Sequence, residues 1–144
     1  MTSGSLPALW AKGVLRGNTP TEVADIVRNF EPDTVPVLDH HHGDPIGWVR
    51  AVQGDGTDLW YTARIAVGGD AECRLRRGPV AVSLEMLGRN VYHRRDERGI
   101  ILPPSLRSPH FRGRYGEGYT LDAIAILPPF DRPGGKGSCM WAVE

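Results

Sequence analysis

Apolar residues along this chain recur with two periods. In NTPTEVADIVRNF, Val23, Ile26, Val27 and Phe30 fall at i, i+3, i+4 and i+7, the single stripe of a core-facing helix. Thr19 precedes Pro20 and stands three residues before Glu22. That is the pattern of a capping box, in which each side chain accepts from the other's backbone N–H. The spacing predicts a helix over 20–30. Elsewhere, apolar runs with a period of two predict strands in LWAKGVLR (9–16), VPVLDH (35–40), PIGWVRAVQ (45–53), DLWYTARIAV (58–67), VAVSLEMLG (80–88) and YTLDAIAIL (119–127). GDGT (54–57) between the third and fourth is a hairpin turn. GGDAECRLRRGP reads as a second, short helix, with Asp70 as its cap, arginines suiting its C-terminal end and Gly78-Pro79 stopping it. CMWAVE (139–144) supplies a strand to close an edge. Six or seven strands and two helices predict a mainly β fold, a barrel with a few surrounding helices, α+β overall.

Composition narrows this picture. The 144 residues fit one domain over 1–144. Eighteen glycines and twelve prolines suit short strands joined by turns. Seventeen basic residues balance seventeen acidic ones, so no global field draws nucleic acid or an anionic membrane. No apolar run approaches the roughly 18 residues that span a bilayer. The N-terminal MTSGSLPALWAKG has neither the basic start nor the apolar stretch of a signal peptide. Cys73 and Cys139 are too few for a disulfide framework, which suggests a reducing, cytosolic setting. Residues 89–118 form a long excursion rich in Arg, Pro and Gly. It reads as a solvated loop or as a contact surface for a protein partner; aromatics are too sparse there for nucleic acid.

Three of the strands each carry one chemically capable side chain: His40, Ser83 and Asp122. A serine hydrolase needs a base for the hydroxyl proton and a third group to orient that base. Glu85, two residues beyond Ser83 and on the same strand face, is a rival acid. The run His40-His41-His42 admits a metal site recruiting Asp39, Asp44 or His93, although no spacing demands one. In an extended strand only His40 and His42 would share a side. Cys73 sits in a charged helix without a dedicated base. Trp10, Trp48, Trp60 and Trp141 read as core or interface anchors.

The segment VPVLDHHHGDPIGWV resembles the histidine segment of tailed-phage prohead proteases and herpesvirus assemblins. That segment is a hydrophobic-Pro-hydrophobic strand, a His, and a hydrophobic-Gly pair whose Gly follows the His by seven; counting back from Gly47 selects His40. VAVSLEM is similar to the family's nucleophile strand, an apolar run broken by one serine after Gly-Pro. YTLDAIAIL is similar to its third strand, where Asp122 stands in place of the second histidine of the herpesvirus branch. The order of strand and helix before His40 fits as well, so the likeness covers most of residues 8–128. It implies a single β-barrel surrounded by helices and a cofactor-free serine endopeptidase that cuts scaffold or capsid-protein extensions inside the immature capsid, in the host cytoplasm. His40, Ser83 and Asp122 would form the triad. Arg132, in the loop after the third strand, would face the oxyanion, with Glu85 behind. A homodimer or higher oligomer is compatible with the likeness. The chain is short for this group and lacks an evident C-terminal scaffold-binding extension. The alternative is therefore a virion structural or decoration protein that keeps the fold without the catalysis.

Overall fold

The computed structural model describes residues 8–40, 42–87, 108–114, 117–128 and 137–143. Alternation of apolar residues folds into β1 (Ala8–Leu15), β2 (Pro36–Asp39), β3 (His42–Asp55), β4 (Asp58–Ala66), β5 (Val80–Leu87), β6 (Thr120–Ile126) and β7 (Cys139–Ala142). They close into one barrel in the order β1-β4-β3-β2-β6-β5-β7, with β7 returning to β1. Closure pairs both edges of the sheet and leaves no strand edge to recruit another chain. Every pairing is antiparallel except β2 with β6, which is parallel. The fold is thus mainly β, with helices α1 (Pro20–Asn29) and α2 (Asp70–Arg77) attached.

Alternation decides which side chains fill the interior. Leu9, Ala11 and Leu15 of β1 point inward, opposite Ile65, Ala63 and Leu59 of β4. Val37, Ile124 and Leu84 form a matching row across β2, β6 and β5. All seven residues of β6 are buried, as expected of a strand covered on both faces. Tyr61 also turns inward, its hydroxyl reaching the Cys139 carbonyl, and burial holds its phenol well above the ordinary range, so it stays neutral. Gly13 lies opposite it, where a Cβ would overlap the Tyr61 ring and hydroxyl.

The predicted capping box is present: Glu22 N–H donates to Thr19 Oγ1 at 3.1 Å, and Thr19 N–H to Glu22 Oε1 at 2.7 Å. The stripe is narrower than expected. Val23 and Ile26 enter the core and Phe30 packs on its margin, but Val27 is exposed. Asp25 is buried in its place, accepting the Tyr119 N–H and a guanidinium N–H from Arg28. Asp70 does not cap α2: the N-cap is Gly69, with no side-chain bond, and Glu72 accepts the Gly68 N–H instead. The GDGT hairpin forms between β3 and β4, with Gly56 at φ 64°. The tryptophans are not core residues. Trp10, Trp48, Trp60 and Trp141 lie on the outer face, where Arg64 stacks on Trp10 and Arg112 lies 3.8 Å from the Trp48 ring centre.

Gly47 is paired with Val37 on one side and Ile65 on the other, and a Cβ there would run into the Arg64 backbone carbonyl. This close approach of β3 to β4 lies directly across from Val37 of β2, three residues before His40. Gly47→Ala is expected to cost about 3 kcal/mol, the upper range of overpacking, because backbone has to move; urea denaturation of the variant measures it.

Candidate active site

β2 ends at Asp39, which pairs with His42 across a two-residue connection. His40, its first residue, takes φ 61°. Tight hairpins favour that left-handed conformation, and histidine is among the few non-glycine residues enriched in it. The expectation of an extended chain through the histidines is therefore corrected: the strand stops one residue short, and His40 projects from a turn. Its N–H donates to the Ile126 carbonyl at 2.9 Å, continuing the β2–β6 ladder by one step. Its Nε2 lies 3.0 Å from Asp39 Oδ1, both side chains being roughly 40% exposed.

Ser83 is half-buried on β5, opposite Ala125 of β6, and Ala125 is in turn opposite Leu38 of β2. Its neighbours Val82 and Leu84 face the core, so Ser83, Ala125 and Leu38 make a row on the outside of the wall. His40 follows Leu38 by two. Strand spacings of about 4.8 Å and rises of about 3.3 Å put some 12 Å between the Ser83 and His40 α-carbons. In this structure the imidazole turns to Asp39.

Asp122 falls elsewhere. It sits where β6 carries one residue more than β5, between the Ala123–Glu85 and Leu121–Met86 pairs. Four residues, about 13 Å of strand, separate it from Ile126, the partner of the His40 amide. Its carboxylate is fully buried and Oδ2 accepts the Ser108 N–H at 2.8 Å. That bond seats the 108–114 segment on the barrel, with help from the Arg112 N–H on the Thr34 carbonyl and the Arg112–Trp48 stack. Glu85, also buried, shares the outer face with Ser83 one alternation away. The three strands thus come together as expected, but the acid touching His40 is Asp39, and Asp122 and Glu85 lie toward the opposite end of the row.

Sequence reasoning weighed Asp39 only as a metal ligand; its position beside His40 was the available signal. Among the described residues no three His, Cys, Asp or Glu side chains converge on one point. His41, His93, Arg132 and most of the 89–118 excursion lie outside the described residues. Cys73 is exposed, Cys139 is half-buried, and both are free thiols. Among the described residues no helix is long and apolar enough to cross a membrane.

No protein-family model matches the chain, and neither the curated proteins nor the solved structures searched give a significant match.

Removing the Asp122 carboxylate strands a buried amide, at a cost of about 1–3 kcal/mol. Asp122→Ala is expected to lose that much stability and to speed hydrogen exchange at Ser108 more than at the α1 amides.

Proposed function

We propose that this protein is a serine endopeptidase of the prohead-protease type, cutting scaffold or capsid-protein extensions during phage head assembly. The observation that carries the reading is the adjacency of β2, β6 and β5, which brings the end of β2, where His40 stands, and Ser83 of β5 to either side of the strand carrying Ala125. Among the described residues the barrel interior is filled mainly with aliphatic side chains, with Tyr61 among them.

In the proposed reaction His40 swings from Asp39 toward Ser83 and takes the hydroxyl proton as Oγ attacks the scissile carbonyl. The C–N bond then breaks, and the same imidazole returns the proton to the leaving amine. Water repeats the sequence on the acyl-enzyme and restores Ser83. The acid beside the imidazole before it swings is Asp39, with Oδ1 3.0 Å from Nε2, rather than Asp122. Asp122 and Glu85 become supports for the wall below Ser83. Arg132 keeps the oxyanion role the family likeness implies. The inside of the immature capsid remains the proposed setting.

The contact of His40 with Asp39, rather than with Ser83, favours a second reading: a virion structural or decoration protein on the same barrel. A serine-directed fluorophosphonate separates the two. The enzyme is expected to be labelled at Ser83 and to lose at least about a hundredfold in labelling rate in His40→Ala. Asp39→Asn should slow labelling by about tenfold or more, and Asp122→Asn should act on stability. Folded wild-type protein that takes up no label would leave the structural reading.

A further inference from the structure

A cavity of about 310 Å³ opens beside the proposed nucleophile, between the end of α2 and the start of β5. Ala81 lines it and stands two residues before Ser83 on the same outer face, about 7 Å away along the strand. Pro128 lines the far side, and the Leu127 N–H is held by the Ala81 carbonyl at 2.9 Å. Two guanidiniums complete the rim, Arg74 and Arg77.

Among the described residues, the charge in this cavity is not matched by an acid. Its described lining is Arg74, Arg77, Gly78, Pro79, Val80, Ala81 and Pro128. Of the three arginines in the last turn of α2, Arg76 is paired with Glu72 at 2.8 Å. Glu72 is held below the usual carboxylate range, first by the Gly68 N–H and then by Arg76. Among the described residues Arg74 donates to the Leu127 carbonyl, at 2.7 Å, which fixes its guanidinium and leaves donors to spare. Arg77 forms no ion pair among the described residues. The C-terminal end of α2 contributes about half a negative charge, against two full positive ones.

We infer that this cavity is a substrate subsite for a carboxylate, so that cleavage occurs within about two residues of a glutamate or aspartate in an extended peptide. The inference rests on the serine-peptidase reading above. A planar fork of donors matches a carboxylate in two-point contact, and Ala81 leaves room for the side chain to lie beside Ser83.

The test uses the full chain with Ser83→Ala and three fluorescent hexapeptides. One has an internal Glu and an amidated end, one has Gln there and an amidated end, and one has Gln and a free C-terminal carboxylate. Anisotropy should show the Glu peptide binding at least about tenfold tighter than its amidated Gln analogue, the scale of one charge-assisted hydrogen bond. The difference should vanish in Arg77→Gln and reverse for a Lys peptide in Arg77→Glu. Preference for the free C-terminus alone would keep a carboxylate site but assign it to a chain end and overturn the internal subsite. Equal or undetectable binding of all three overturns the inference. In parallel, the Glu peptide should slow fluorophosphonate labelling of wild-type Ser83 more than the Gln peptide does. Labelling without that protection overturns the subsite and leaves the peptidase standing; absence of labelling overturns the peptidase itself.

Discussion

Parallel pairing of β2 with β6 is the constraint on which the rest of this molecule depends. The other strand pairs are antiparallel, and hairpin neighbours such as β3 and β4 need only a two-residue turn. β2 and β6 are separated by more than eighty positions, and their ladder is continued by the His40 amide on the Ile126 carbonyl. A parallel ladder exposed to water is a weak arrangement, and here both faces of β6 are buried. Without that pair β2 would be joined to the sheet only through β3, and His40 would have no fixed relation to β5. Gly47 protects the same arrangement from the other side by letting β3 and β4 approach closely.

Local chemistry was legible in the sequence because its causes are local. The Thr19–Glu22 box, the turn at Gly56 and the alternation of β1, β4 and β5 each need only a few neighbouring residues, and the barrel class followed from them. Features whose partners lie far along the chain were not legible. Asp25 is buried because it accepts from Tyr119, 94 residues away, so a polar residue entered the stripe and Val27 was left outside. Asp122 was read as a catalytic acid because it is the chemically capable side chain of its strand and stands where the family likeness puts the third member. The extra residue in β6 and the Ser108 amide show that this carboxylate serves a structural bond. The histidine turn was missed for a different reason: a left-handed conformation at a non-glycine residue leaves little mark in the sequence.

Electrostatics divide the surface into regions with different tasks. Arg16 is matched by Asp58 and Arg50 by Asp33 on exposed or half-exposed positions, where such pairs add little stability; Arg28 is matched by the buried Asp25. Arg64 and Arg112 spend their charge on tryptophan faces outside the barrel. Among the described residues Arg74 and Arg77 have neither kind of partner, and they line a concave site. With equal numbers of acidic and basic residues, the chain has no overall field; the bias at that corner comes from placement alone.

The short strand β7 carries a consequence for biosynthesis. It is the stave between β1 and β5, pairing Gly13 with Met140 and Val80 with Met140. Residues near the beginning of the polypeptide therefore wait, one edge unpaired, until translation has passed Ala142. Folding of this barrel can be completed only after that point on the ribosome, and a chain stalled earlier would present two open seams to its neighbours.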